Sequence, residues 1–166
     1  ARLARERGWG ARTTCGHACA LPWLPPELRD RTLEDLAAAG TTLVCLPHTN
    51  LYLQDSGQQG PRATPLRRGL TAVHEARRAG VPVAFGSDNH RDPFFPAGDL
   101  DPLQPLGLAA VAAHLDDPAF AWADAVTTAP ARALGLDWDG VLRPGAPADL
   151  VLHPGRSSAD VLARPT

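Results

Sequence analysis

The stretch Val81–Gly98, VPVAFGSDNHRDPFFPAG, decides how the rest of the chain is read. Val81 to Phe85 is a continuous apolar run rather than an alternating one, the pattern of a strand buried on both faces. It ends at Gly86-Ser87-Asp88, and a polar segment with the pair Phe94-Phe95 follows. Thr41–Leu46 (TTLVCL) is a second run of this kind, ending at Pro47-His48, and Arg12–Cys15 is a weaker third, ending at Gly16-His17. Each run therefore stops at a side chain able to hold a metal or move a proton: His17, His48 and Asp88.

Helical patterns separate the runs. Pro26–Ala39 opens with proline at a first-turn position and stops at Gly40, the usual asymmetry of helix ends. Thr64-Pro65 predicts another start, with Leu66, Leu70 and Val73 at helical spacing and Gly80 as the stop. Further helices are expected over 102–115 and 120–134, the second interrupted near Thr128-Ala129-Pro130, and Gly140–Gly155 reads as a turn followed by a strand over Asp149–His153. Strand and helix in alternation predict an α/β fold with a parallel sheet and right-handed crossovers. Functional groups on such sheets sit at the C-terminal strand ends.

Bulk composition narrows the classes. All 16 basic residues are arginine, they are dispersed, and the net charge is −2, so no basic stripe for nucleic acid exists. No apolar run approaches the roughly 20 residues of a membrane span. Three cysteines, an odd number, argue against a disulfide framework and for a reducing, cytoplasmic setting. A chain that opens ARLARERGWG without methionine is expected to continue something longer.

Five stretches together carry a family resemblance: TCGHACA (Thr14–Ala20), LPHTNLYLQ (Leu46–Gln54), Thr64–Gln104 with its GSDN-x-x-DP-F-F-P-x-G run, VTTAPARALGL (Val126–Leu136) and LRPGAPADLVL (Leu142–Leu152). The chain resembles the C-terminal portion of a cytosine-deaminase-like member of the metal-dependent amidohydrolase superfamily. The resemblance implies that the three runs are strands six to eight of a TIM-type (β/α)₈ barrel occupying residues 1–139. Residues 140–166 would then begin a small C-terminal β-sandwich.

By the same resemblance, Asp88 matches the aspartate that ligates the catalytic metal and takes a proton from the attacking water. His17 matches the histidine beside that water. Phe94 matches an aromatic that lies against the substrate ring, although it could equally cap the barrel mouth. Asn89 stands where the better-known bacterial cytosine deaminases carry a second aspartate, which leaves the identity of the ring open.

These residue types suit the chemistry. A divalent metal makes water nucleophilic near neutral pH, a carboxylate moves the proton, and a histidine stabilises developing charge. The implied cofactor is one divalent ion, iron or zinc. The His-x-His pair and strand-five histidine of the superfamily, and the glutamate of its deaminase branch, have no match here and are expected in a preceding part of the protein.

The implied reaction is conversion of cytosine to uracil and ammonia by the longer protein, with this portion inactive alone. Other cyclic amidines, aminotriazines or creatinine-like rings are alternatives, as is a non-catalytic remnant. The implied partner is a small heterocycle, not nucleic acid or a membrane. The family is often homo-oligomeric, but no interface signature is legible. Without the resemblance, Asp88 could simply cap a turn, and His17 could be an ordinary loop histidine. His48 is expected to pack locally, His74 to lie on a solvated helix face, and Leu53–Pro65 to form a loop over the mouth.

Overall fold

The structure, a computed structural model, describes residues 1–57, 63–116 and 118–163. Its centre is a three-stranded parallel sheet in the order β1 (Thr14–Gly16), β2 (Thr42–Cys45), β3 (Val83–Phe85). Leu43 pairs with Cys15 on one side and Val83 on the other, which places Gly16, Val44 and Ala84 at one level. Both crossovers pass through helices: α2 (Pro26–Ala39) between β1 and β2, then α3 (Pro47–Leu53) and α4 (Val73–Arg78) between β2 and β3. A short helix α1 (Arg2–Glu6) precedes the sheet. After it come α5 (Leu103–Ala112), α6 (Pro118–Ala121), α7 (Thr128–Ala133) and α8 (Ser158–Ala163).

Apolar side chains from these helices close over one face of the sheet. Leu33 and Leu36 of α2, Val73 and Ala76 of α4, and Leu106 and Ala109 of α5 share a buried cluster with Leu43, Cys45, Val83 and Phe85. Burial of this surface drives the fold. Burial also pushes the Cys45 thiol up to about 12, so this cysteine behaves as a small apolar residue. A Cβ at Gly86 would stand 3.0 Å from Leu46 Cδ2, so glycine lets Leu46 fit beside the end of β3.

The helix stops are built alike. At the end of α2, Gly40 adopts φ +73°, its N–H bonds the carbonyl of Ala37, and the Thr41 N–H bonds that of Leu36. At the end of α4, Gly80 adopts φ +81°, its N–H bonds the carbonyl of Arg77, and the Val81 N–H bonds that of Ala76. This is the left-handed cap that glycine adopts without a Cβ clash. Both caps lead straight into a strand.

Three sequence expectations need correction. The helix expected from Thr64 begins only at Val73. The Asp55 carboxylate accepts the N–H groups of Leu66 and Arg67, and the Gln54 side chain takes both the N–H and the carbonyl of Gly69. Backbone groups that a helix would use are thereby engaged. The helix expected over 120–134 is interrupted, but earlier than Thr128-Ala129-Pro130: α6 is followed by a 3₁₀ turn at Ala123–Val126, and Thr128 opens α7. The strand expected over Asp149–His153 does not form: no described strand lies alongside to pair with it, and Val151 and Leu152 are exposed. The segment instead lines an apolar groove with Leu134, Leu136 and Leu142.

No further strand pairs with β1 or β3 among the described residues, and their free edges are templates for pairing. With the exposed Leu150, Val151 and Leu152, they predict that the isolated 166-residue chain self-associates. Light scattering after gel filtration checks this; a monodisperse monomer with one cooperative melt contradicts it. No helix among the described residues is long and apolar enough to cross a membrane.

Candidate active site

The C-terminal ends of the three strands converge. The His17 N–H bonds the Val44 carbonyl, and the Gly86 N–H bonds that of Cys45, so the ladder continues just past the strands. It then breaks sharply. His17, Ala18 and Asp88 adopt φ of +63°, +48° and +58°, left-handed values that a non-glycine residue holds only when its surroundings impose them.

His17 and Asp88, placed 71 positions apart by the numbering, meet here. His17 Nε2 lies 3.9 Å from Asp88 Oδ2. That distance is too long for a direct hydrogen bond and leaves room for a bridging group. The other ring nitrogen, Nδ1, is 2.7 Å from Asn50 Oδ1. An amide oxygen only accepts, so Nδ1 carries the proton and Nε2 of the neutral ring keeps its lone pair towards Asp88. Asn50 is buried on α3, and sequence reading missed it. The signal was present in the first-turn Pro47 and the helical spacing of His48 and Tyr52, but Thr49–Tyr52 fell between the expected strand end at Pro47-His48 and the expected loop from Leu53.

Replacing Asn50 by leucine should lower kcat of the intact protein about 10- to 100-fold with a smaller change in KM, because it frees the His17 ring. Asn50→Asp keeps an acceptor for Nδ1 and should restore most of the rate. Steady-state kinetics on both variants read the difference, and an unchanged kcat in the leucine variant refutes the orienting role.

Asp92 organises the loop beyond β3. Its Oδ1 accepts the N–H groups of Phe94 (2.8 Å) and Phe95 (2.9 Å), and its Oδ2 accepts Asn89 Nδ2 (2.6 Å). The Asn89 amide above all, with these N–H groups, holds the Asp92 carboxyl below its usual range. The Asp92-Pro93 pair was a legible turn signal, yet sequence reading passed over it.

The two phenylalanines part company. Phe95 packs on His48 at 5.3 Å and edge-on to Tyr52 at 5.5 Å. Phe94 remains 57% exposed and free to meet a ligand. His48 thus packs locally, as expected, and burial lowers its pKa against the opposing pull of Asp99. His74 is not on a solvated face: its Nε2 is 2.8 Å from the Ala113 carbonyl and its ring stands edge-on to Trp122. Gln58, Gln59, Gly60, Pro61 and Arg62 of the expected mouth loop lie outside the described residues.

A metal is testable on the donor set. Asp88 Oδ2 is buried and has no hydrogen-bond partner, an orphaned acceptor that a cation would satisfy. No group of three or more His, Cys, Asp or Glu that could hold an ion exists among the described residues. The residues therefore fit one carboxylate ligand of a metal site, not a whole site.

A family profile described as an amidohydrolase family matches residues 1–166. The chain belongs to the amidohydrolase family. This amidohydrolase chain is 43% identical over 160 residues to a pterin deaminase of Rhizobium rhizogenes, covering 96% of the chain and 36% of that protein. Its fold is similar to 5-methylcytosine deaminase from Klebsiella pneumoniae liganded with 5-fluorocytosine. There the TM-score is 0.83 at 32% identity, covering 98% of the chain and 39% of the other. N-isopropylammelide isopropylaminohydrolase from Burkholderia multivorans aligns with a TM-score of 0.75 at 30% identity, over 98% of the chain and 37% of the other. The amidohydrolase chain thus spans little more than a third of the length of these relatives.

Proposed function

We propose that the chain forms part of a hydrolase that removes an amino group from a small nitrogen heterocycle. The observation that carries this reading is the approach of His17 Nε2 to an otherwise unpaired, buried Asp88 oxygen at the C-terminal strand ends. Its support from relatives is that the named proteins include deaminases, of pterin and of 5-methylcytosine. In this reading β1, β2 and β3 are strands six, seven and eight of a (β/α)₈ barrel. Residues 1–139 belong to that barrel, and 140–166, which hold no strand among the described residues, would join an adjoining β-sandwich only with strands from elsewhere in the protein.

Asp88 would hold one divalent ion, iron or zinc, with other ligands from outside the described residues. When bound, the ion supplies a Lewis acid that lowers the pKa of water. Asp88 accepts the proton of the attacking water. Neutral His17 accepts a hydrogen bond from the water's second proton through Nε2 and keeps that O–H directed at the ring nitrogen while the tetrahedral carbon forms. A C–O bond forms at the amino-bearing carbon and the C–N bond breaks. Ammonia leaves with the proton that Asp88 returns to it, the water's other proton ends on the ring nitrogen beside that carbon, and the ring keeps the oxygen as a carbonyl. Phe94 offers a face to the flat ring.

Cytosine and pterin are the two rings to assay first, by ammonia release from the intact protein. Release from either supports the reading. Release from neither, nor from an aminotriazine, with metal present, refutes it.

A further inference from the structure

His17 owes its place to a turn that the backbone itself disfavours. Two successive non-glycine residues, His17 and Ala18, hold φ of +63° and +48°, and such residues stay left-handed only while something outside them imposes it. The His17 side chain is 53% exposed, so packing does not fix the ring. The turn enters through the His17 N–H on the Val44 carbonyl. It leaves through the Ala18 carbonyl, which accepts the Leu21 N–H at 3.1 Å and the Thr71 hydroxyl at 3.0 Å. The Leu21 bond lies within the same loop, whereas the Thr71 bond reaches across 53 positions.

Thr71 is held in its turn. It is 4% exposed, between the buried Leu70 and Ala72. Two residues before it, Gln54 takes the N–H of Gly69 at 2.7 Å and its carbonyl at 2.8 Å. Gln54 closes α3 one turn after Asn50, and its own N–H bonds the Asn50 carbonyl at 3.1 Å. The end of α3 therefore reaches His17 twice. Asn50 Oδ1 grips the ring, and Gln54, through Gly69 and Thr71, grips the backbone.

We propose that Thr71 is a positioning residue whose hydroxyl keeps the His17-Ala18 turn left-handed, so that His17 Nε2 faces Asp88. The backbone at this turn aims the Cα–Cβ bond of His17. If the turn relaxes, the imidazole swings from Asp88 and Nδ1 leaves Asn50. This inference rests on the deaminase reading above and adds to it a residue that acts only through His17.

The test uses the intact protein. Thr71→Val keeps the shape of the side chain and removes the hydroxyl, and the Ala18 carbonyl still has the Leu21 N–H, so the variant should fold. Its kcat for ammonia release should fall about 10-fold or more, with KM changed less than about 2-fold. Thr71→Ser, which keeps the hydroxyl, should restore most of the rate. Thr32→Val is the control, because that hydroxyl also bonds a backbone carbonyl, that of Leu28 within α2, and kcat should not move. An unchanged kcat in Thr71→Val, or an equal loss in Thr32→Val, overturns the inference.

A second readout needs no turnover. In protein with ¹⁵N-labelled histidine, the His17 ring should carry its proton on Nδ1 near neutral pH. In Thr71→Val its nitrogen shifts should move towards the mixed-tautomer values of a free imidazole, and in Thr71→Ser they should return. Ring shifts identical in wild type and Thr71→Val overturn the positioning role. If no heterocycle is turned over by the wild type, the deaminase reading fails, and the imidazole spectrum alone decides the role of Thr71.

Discussion

Replacing Asp88 by asparagine should abolish turnover by the intact protein, lowering kcat by about 10³-fold or more while the fold persists. The proposed carboxylate has two tasks, to hold the ion and to take a proton, and asparagine does neither well. Proton transfer by a placed group alone contributes roughly 10²- to 10⁴-fold. Asparagine is the informative replacement because position 88 sits at φ +58°. Asparagine tolerates that region nearly as well as aspartate, whereas alanine adds backbone strain of about 1 kcal/mol or more. The asparagine variant thus separates chemistry from folding. Ammonia release, bound metal per chain and the circular dichroism spectrum together check the result. Full activity with an unchanged spectrum would remove Asp88 from the mechanism.

The second large effect concerns the sheet. Leu43 is fully buried on the central strand, paired on both sides by Cys15 and Val83. Its truncation to alanine should cost about 2–5 kcal/mol, the lost transfer energy plus the cavity left behind. A domain has only about 5–15 kcal/mol in hand, so the loss takes a large share of it. Val111 gives the contrast. It is 77% exposed on α5, and its truncation should change stability by less than about 0.5 kcal/mol. Urea unfolding at one fixed protein concentration compares the two, since association would otherwise shift the midpoints. Equal effects would mean that Leu43 is not in the core.

What the sequence disclosed depended on how local the determinants were. The strands at 42–45 and 83–85 were legible because burial on both faces leaves an unbroken apolar run. The helix Pro26–Ala39 was legible to its ends because Pro26 and Gly40 carry the start and stop within the segment itself. The late start of α4 was not legible, because the groups that displace a helix there come from Gln54 and Asp55, many residues away. Asp149–His153 has the composition of a strand, but a strand exists only against a partner.

The site divides in the same way. His17 and Asp88 were readable as polar residues that end apolar runs, and the structure brings them together. Asn50 was hidden because its role is a contact across 33 positions with a ring whose orientation no spacing reveals. Phe94 and Phe95 look alike in sequence. Only the packing of Phe95 against His48 and Tyr52 leaves Phe94 as the free one.

The glycine caps at Gly40 and Gly80 bear on how this protein could be re-engineered. They put the determinants of chain direction on one rim of the sheet and the chemistry on the other. Codons for the exposed loop positions 93, 94, 96 and 97 could then be randomised in a directed-evolution library while both caps and the braced residues stay untouched. Most clones should remain folded, and the library would explore which rings are accepted rather than whether the polypeptide folds. A library aimed at the cap rim would do the reverse, spending its diversity on misfolded variants without ever sampling a new specificity.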